Sequence, residues 1–220
     1  MDLYHVLNRG VEKRDVVLND DDRMRFVRSL YIFNDITNAP NSVSQPKQWE
    51  KNTQRENLVY IHAWCLMNNH YHLLLSPVDD DVKNISKFMK KLNMGYAKFF
   101  NEKYDRSGYL WQGKYKKSLI DRDAYFEYIP YYIHLNPLDY TAYDWRRGTV
   151  SSSSKSVEQL DIYRWSSYLD YSGSKNFPSL LYTDLLKNLL IGKEHQQKVI
   201  ARIISDNEVA HINASINLEK

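Results

Sequence analysis

The apolar positions along the chain follow two different spacings. Short segments rich in β-branched and aromatic residues, as strands are, cover residues 3–8, 58–67, 70–76 and 115–121. Segments with apolar residues three and four apart, which is typical of helices with one buried face, cover residues 24–33, 82–100 and 125–135. The predicted order is strand, helix, strand, strand, helix, strand, helix. This order predicts an α+β fold with helices packed on an antiparallel sheet, as in ferredoxin-like folds.

The residues between these segments predict where the elements begin and end. Asn68-Asn69 favours a tight turn between the two strands of a hairpin, and Asn19 is a candidate cap for the first helix. Asp123 is a candidate cap for the third helix, which Pro137 ends. Because Pro130 removes a backbone hydrogen bond inside that helix, we expect a kink or a fresh helical start there.

The chain is long enough for one domain with an appendage. We predict a main domain over residues 1–147 with a polar insertion at about 35–57, and a Ser-rich linker over 148–158. Residues 159–220 are predicted to form a docking element, Trp165-Ser166-Ser167-Tyr168, followed by a C-terminal helical extension. The leucine-rich stripe of this extension suits docking onto the main domain or contact with a partner, and docking is the preferred interpretation.

Composition excludes several classes of protein. No run of about eighteen apolar residues is present and the first residues lack a signal-peptide pattern, so we expect a cytoplasmic protein with no membrane contact. The single cysteine, Cys65, excludes an internal disulfide and a multi-cysteine zinc site. Apolar neighbours favour a buried, structural Cys65.

The positive charge is concentrated in one segment. The whole chain carries a net charge of only +3, but between Lys83 and Arg122 eleven Lys and Arg residues face three Asp and Glu residues. Aromatic residues are interleaved with these charges, a combination that suits a phosphate backbone with unpaired bases. The alternative is a helix with a solvated lysine face and an aromatic core face, and composition alone does not choose.

Two histidines stand two residues apart in a predicted strand. Because strand side chains alternate between faces, His70 and His72 point the same way and form a natural pair of ligands for a divalent ion. Many His-x-His pairs are purely structural, so this pair alone is weak evidence for a metal.

Residues 125–137 place a tyrosine and an amide on one helical face. Tyr132 and Asn136 are four residues apart and therefore neighbours on a helix surface. A tyrosine attacks phosphorus when its proton is removed and the phosphate is polarised. The alternative is an aromatic stripe, since Tyr125, Tyr128 and Tyr132 also have the spacing of residues packed into a core.

Several blocks occur in a fixed order along residues 3–170. They are Tyr4-His5-Val6 with Asn8-Arg9-Gly10, residues 63–74, Gly108 with Trp111-Gln112-Gly113-Lys114-Tyr115-Lys116, residues 132–137, and Trp165-Ser166-Ser167-Tyr168. With these blocks the chain resembles the single-tyrosine HUH transposases, and in particular the branch of REP-associated tyrosine transposases. The resemblance implies an HUH endonuclease core of the ferredoxin-like class.

The resemblance also implies an active site and a reaction. Tyr132 matches the nucleophile, and His70, His72 and Asn136 match the ligands of a divalent metal, Mg²⁺ or Mn²⁺. The implied activity is that of a single-stranded DNA endonuclease and strand-transferase, a transposase-like enzyme that forms a 5′-phosphotyrosine intermediate at hairpin-containing DNA. The implied location is the bacterial cytoplasm, on nucleoid DNA, with the protein a monomer or a homodimer.

Nine residues are candidates for contact with the single-stranded hairpin DNA that the resemblance implies. For phosphate contact they are Arg9, Lys87, Lys90, Lys91, Lys114, Lys116 and Lys117, and for stacking on bases Trp111 and Tyr115.

Two departures from the family pattern stand out. Tyr71 occupies the middle of the histidine motif, where a small apolar residue is expected, and the insertion at 35–57 is longer than usual. Tyr71 is therefore a rival nucleophile, and Tyr131, the neighbour of Tyr132, is another. Strand and helix geometry should turn both tyrosines away from the site.

Two other functions stay open: a non-catalytic protein that binds hairpins of single-stranded DNA or RNA, and a metallohydrolase of small phosphoesters.

Overall fold

The computed structural model describes residues 1–37, 55–147, 150 and 153–205. In these residues it has four strands and six α-helices. The strands are β1 (Tyr4–Arg9), β2 (Val59–Leu66), β3 (His70–Pro77) and β4 (Lys116–Leu119). The helices are α1 (Asp20–Phe33), α2 (Lys83–Lys103), α3 (Asp123–Leu135), α4 (Ser153–Ile162), α5 (Tyr168–Tyr171) and α6 (Gly192–Ser205).

The four strands form one antiparallel sheet in the order β2-β3-β1-β4. With β1-α1-β2-β3-α2-β4 along the chain, this is the ferredoxin-like arrangement, in which β1 and β3 are the central pair. The predicted α+β fold class is therefore confirmed. In the central pair Arg9 lies opposite His70, and Leu7 lies opposite His72.

One face of the sheet is covered by α1 and α2. The side chains that alternate onto this face, such as Val6, Tyr71, Leu73 and Leu75, are buried in one core cluster with the apolar stripes of both helices. The α1 helix begins where predicted, since the side chain of Asn19 accepts a hydrogen bond from the backbone N–H of Asp22 at 3.0 Å.

The opposite face of the sheet is covered by α3 and the C-terminal helices. Ala63, Cys65 and Leu74 point to this face and are buried in a second cluster. That cluster includes side chains of α3, α4, α5 and α6. The leucine-rich stripe also contributes, with Leu186 and Leu190 buried, so the described part of the C-terminal extension docks onto the sheet. Residues 206–220 lie outside the described residues.

The segment predicted to dock lies against the free edge of β2. The backbone N–H of Leu66 donates to the carbonyl of Trp165 at 2.9 Å, and the N–H of Ser167 donates to the carbonyl of Trp64 at 3.0 Å. Strand edges with unpaired backbone groups are prone to association, and this pairing covers the edge.

Three local expectations need correction. The predicted linker over residues 148–158 is helical from Ser153 onward, because Val157 and Leu160 bury one face of α4 in the second cluster. Arg122, not Asp123, precedes the first turn of α3 and makes no side-chain cap. This helix continues through Pro130 and ends at residue 135, so of the two expected alternatives, a kink or a fresh helical start, the fresh start is wrong. Of the predicted insertion at 35–57, residues 38–54 lie outside the described residues.

No helix in the part of the chain that the structure describes has both the length and the apolar content to cross a bilayer.

Buried His62 on β2 generates a prediction about pH. Its Nδ1 lies 3.2 Å from the carbonyl of Tyr182 and its Nε2 lies 2.8 Å from the hydroxyl of Ser76, and burial lowers its pKa to about 4. Below the ordinary histidine pKa of 6.5 the unfolded chain binds more protons than the folded chain. Stability is therefore full above this pH and falls as the pH drops towards 4, by at most about 1.4 kcal/mol per pH unit from this group.

We expect His62→Gln to reduce the loss of unfolding free energy between about pH 7 and about pH 5, as measured by urea unfolding. The control is His195→Gln, at an exposed position on α6, which should leave the pH dependence unchanged. An unaltered pH dependence in His62→Gln would contradict the assignment.

Candidate active site

The two histidines of β3 lie side by side on the sheet face that α3 covers. Their ring centroids are 5.0 Å apart and their planes are nearly perpendicular, and both side chains are buried. They share this face because they are two residues apart in a regular strand that is paired on both sides.

Each imidazole is oriented through its Nδ1 atom. His70 Nδ1 lies 2.6 Å from Asn69 Oδ1, and since that oxygen only accepts, the proton of His70 is on Nδ1. His72 Nδ1 lies 2.9 Å from Nε2 of His5, which stacks on His72 with ring centroids 5.1 Å apart. Metal-binding histidines are usually held in this way, with one nitrogen fixed by a neighbour and the other directed at the ion.

The environment keeps His72 neutral. Burial lowers its pKa well below the ordinary value, and the positive charges that neighbouring His70, His5, Arg146 and Arg9 carry or can carry lower the pKa further. A neutral imidazole is the form that coordinates a metal.

Helix α3 brings Tyr132 over the histidines. It packs on β2 and β3, and the Tyr132 ring centroid lies 5.7 Å from that of His72 and 5.9 Å from that of His5. Asn136 follows at the end of the helix, where its Nδ2 donates to the backbone carbonyl of Tyr132 at 2.8 Å. Because the NH₂ group is held by the helix, the side-chain oxygen Oδ1 is directed away from the helix backbone.

A guanidinium group joins the tyrosine to the amide. Arg146 Nη1 donates to the Tyr132 hydroxyl at 2.9 Å, and Nη2 donates to Asn136 Oδ1 at 3.0 Å. Arg146 is not among the site residues predicted from the sequence, because its contact with Tyr132 depends on how the chain turns back after α3. His5 is not among them either, although the alternation of side chains along β1 puts His5 on the histidine face once the strand pairing is known.

The rival tyrosines point away from this cluster. Tyr71 lies on the opposite face of the sheet, where its hydroxyl donates to Asn93 Oδ1 at 2.7 Å and burial raises its pKa. The Tyr131 hydroxyl donates to the carbonyl of Leu189 at 3.1 Å, and burial raises its pKa to about 12. Tyr132 is the tyrosine among these three that contacts the histidines.

A basic groove adjoins the histidines on the side of β1 and β4. It has a volume of about 260 Å³. Its lining residues are Leu7, Asn8, Arg9, Gln112, Gly113, Lys114 and Lys116. Because Arg9 lies opposite His70 and Leu7 lies opposite His72, the groove begins beside the two histidines. Three predicted phosphate contacts, Arg9, Lys114 and Lys116, therefore come together next to the candidate site.

The other lysines predicted to contact phosphate lie outside the groove. Lys87, Lys90 and Lys91 lie on α2, which packs on the face opposite the histidines. Lys91 donates to the carbonyl oxygens of Asp35 and Thr37. Lys117 lies on the same face as α2, with its Nζ 5.1 Å from the ring centroid of Tyr4. The structure does not bring these four lysines to the groove.

The prediction that two aromatic residues stack on bases also needs correction. Trp111 is 8% exposed in the core cluster beneath α2, where its Nε1 donates to the carbonyl of Asn93 at 2.9 Å. Tyr115 is partly buried against the same cluster, and its hydroxyl lies 2.9 Å from that of Ser86 on α2. Both rings pack with the helical layer on α2. The spacing of residues does not reveal which face of the sheet each ring joins, so the sequence alone could not predict this packing.

The donor set fits a metal only if the amide takes part. Among the described residues, no three His, Cys, Asp or Glu side chains form a group that could hold a metal ion. His70 and His72 supply two imidazoles, and Asn136 Oδ1 stays the predicted third ligand. Two imidazoles with one amide oxygen suit Mn²⁺ better than Mg²⁺, which has the stronger preference for oxygen ligands.

The fold and this cluster define an α+β protein with a buried site of histidines and one tyrosine beside a basic groove. Comparison with known families gives a match to the model described as IS200-like transposase over residues 4–136, from β1 to Asn136. The chain belongs to the IS200-like transposase family, and the predicted transposase family is confirmed.

Two further comparisons complete this finding. No curated protein matches the chain. Among solved structures the chain is similar to a REP-associated tyrosine transposase bound to a REP hairpin. That similarity has 13% sequence identity and a TM-score of 0.44, and it covers 84% of this chain and 86% of that chain.

Proposed function

We propose that this protein is a metal-dependent enzyme that nicks and joins single-stranded DNA, with Tyr132 as its nucleophile. One observation carries the proposal. The Tyr132 ring lies 5.7 Å from that of His72, while its hydroxyl and Asn136 Oδ1 are held by the same guanidinium. Membership of a transposase family supports this chemistry over hydrolysis of a small phosphoester.

The proposed ligands of the divalent ion are Nε2 of His70, Nε2 of His72 and Oδ1 of Asn136. A bound Mn²⁺ or Mg²⁺ supplies Lewis acidity, which polarises the oxygens of the phosphate. His5 and Asn69 orient the two imidazoles, and burial keeps His72 neutral before the ion binds.

The proposed reaction is an attack of the Tyr132 oxygen on a DNA phosphorus. A bond forms between phosphorus and the tyrosine oxygen, and the bond from phosphorus to the 3′ oxygen breaks. The tyrosine loses its proton and the 3′ oxygen gains one, which leaves a 5′-phosphotyrosine and a free 3′-hydroxyl. A 3′-hydroxyl that attacks the phosphotyrosine reverses these steps and joins the strands without ATP, because the bond energy is conserved.

The proposed substrate is single-stranded DNA that contains a hairpin. The groove lined by Arg9, Lys114 and Lys116 suits a phosphate backbone next to the reacting tyrosine. The hairpin itself comes from the family resemblance.

A second candidate is a hairpin-binding protein without catalysis. The basic groove favours it, since a binder needs the groove and not the tyrosine. Formation of a covalent adduct distinguishes the two candidates.

We expect the chain to form a covalent adduct with 3′-labelled hairpin single-stranded DNA in Mn²⁺, resolved on a denaturing gel. Tyr132→Phe should abolish the adduct because the nucleophilic oxygen is absent. Tyr131→Phe is the matched control, one residue away on α3, and should retain it. An adduct that survives in Tyr132→Phe, or no adduct with the natural chain, would contradict the proposed function.

A second experiment concerns metal binding. His5→Phe removes the nitrogen that holds His72 Nδ1, and we expect Mn²⁺ affinity to fall by about 10-fold to 100-fold in titration calorimetry. His62→Phe, which removes another buried strand histidine, controls for loss of packing and should bind Mn²⁺ as the natural chain does. Equal affinities in the two variants would contradict the role of His5 in orienting His72 for metal binding.

A third experiment locates the DNA. Lys116→Gln in the groove should weaken binding of hairpin DNA and reduce the slope of log K against log salt by about 1. Lys90→Gln, an exposed lysine on α2, should leave both quantities unchanged. The opposite result would move the DNA path to the other face of the sheet.

A further inference from the structure

The region after Asn136 adds one side chain to the cluster at Tyr132. Arg146 lies in the 3₁₀ helix Tyr143–Arg147, which follows a first 3₁₀ helix, Asn136–Tyr140. The match to the family model ends at residue 136. The contacts of Arg146 with the site therefore come from chain beyond the matched segment.

We propose that Arg146 is a positioning residue, which fixes the Tyr132 hydroxyl relative to Asn136 Oδ1 for the reaction. The inference rests on the proposed function, because it assigns a role in that same site.

The guanidinium is fixed from behind by Asp139. Arg146 Nε donates to Asp139 Oδ1 at 3.0 Å, and Nη2 donates to Oδ2 at 2.8 Å. The carboxylate is held in turn by Trp145 Nε1, which donates to Oδ1 at 2.6 Å. Two parallel hydrogen bonds to one carboxylate fix both the position and the plane of a guanidinium.

The fixed plane determines where the remaining donors point. Nη1 reaches the Tyr132 hydroxyl at 2.9 Å, and Nη2 also reaches Asn136 Oδ1 at 3.0 Å. The guanidinium carbon lies 5.1 Å from the centroid of the Tyr132 ring and 4.5 Å from that of Trp145. A lysine has no planar fork and does not reproduce this pair of contacts.

The charge of Arg146 is partly offset by Asp139. The two side chains pair directly at 2.8 Å, and the guanidinium still lowers the pKa of His72. The exposed fractions of the two side chains are 24% and 31%, and a pair this exposed adds little to folding. What the arrangement fixes is the direction of the two hydrogen bonds into the site.

The first test needs neither DNA nor metal. In protein labelled with ¹³C at the tyrosine ring, the Tyr132 signal is assigned by its loss in Tyr132→Phe. We expect Arg146→Ala to shift this signal and Arg147→Ala, in the same 3₁₀ helix, to leave it in place. An unshifted signal in Arg146→Ala overturns the proposal.

The second test measures adduct formation at saturating hairpin DNA with Mn²⁺. Arg146→Ala should lower the rate by about 100-fold, as expected when a reacting group is misplaced by about 1 Å, with the dissociation constant for DNA unchanged. Added guanidinium ion should restore part of the rate in Arg146→Ala but not in Tyr132→Phe. Arg146→Lys should restore less than guanidinium does, and Arg147→Ala should react as the natural chain does.

The proposed function and the positioning role of Arg146 are contradicted by different results. A natural chain that forms no adduct overturns the proposed function. An active natural chain with an unchanged rate in Arg146→Ala overturns only the role of Arg146. Weaker DNA binding without rescue by guanidinium also overturns it, because that result assigns Arg146 to DNA contact or to folding.

Discussion

The site depends on the register of β3 between its two neighbours in the sheet. Side chains alternate along a strand, so this register puts His70 and His72 on one face and Tyr71 between them on the other. A slip of one residue would exchange the faces and bury the two imidazoles beneath α1 and α2. Tyr71 helps to prevent such a slip, because its ring is buried in that core and its hydroxyl donates to Asn93 of α2 at 2.7 Å.

The same alternation explains how distant segments meet at the histidines. On β1 it puts His5 on the histidine face, at hydrogen-bonding distance from His72. Because α1 and α2 occupy one face, the other face remains for α3, which carries Tyr132. The C-terminal helices then bury the outer side of α3, and residues between α3 and α4 carry Arg146 back to Tyr132. The position of each of these segments therefore depends on the packing of the segment described before it.

Features that depend on local spacing could be predicted from the sequence. The two-residue period of strands and the three-to-four-residue period of helices sufficed to predict the strands that form the sheet. They also placed His70 and His72 on one face of a strand, and Tyr132 and Asn136 on one face of a helix. The family came from ordered blocks of residues rather than from any single motif.

Features that depend on tertiary packing could not be predicted in this way. Spacing does not reveal which sheet face a helix will cover, so the lysines of the basic segment at 83–122 could not be assigned to separate surfaces. Its lysines are divided between α2 on one face and the groove on the other. Trp111 was a candidate for stacking on bases, but its neighbours in space, Tyr71 and Tyr96, make it part of the core.

The position of the groove follows from which half of the histidine face is covered. Helix α3 packs on β2 and β3, while the groove lies along β1 and the residues that lead into β4. The candidate site thus lies at the boundary between the covered half and the open half of the histidine face.

The exposed lysines of β4 also protect the sheet, since charged side chains on a short edge strand discourage pairing with another chain. The edge of the sheet beside the groove is therefore protected by lysine side chains, whereas the edge strand β2, buried along nearly its whole length, is covered by the docking segment at 165–168.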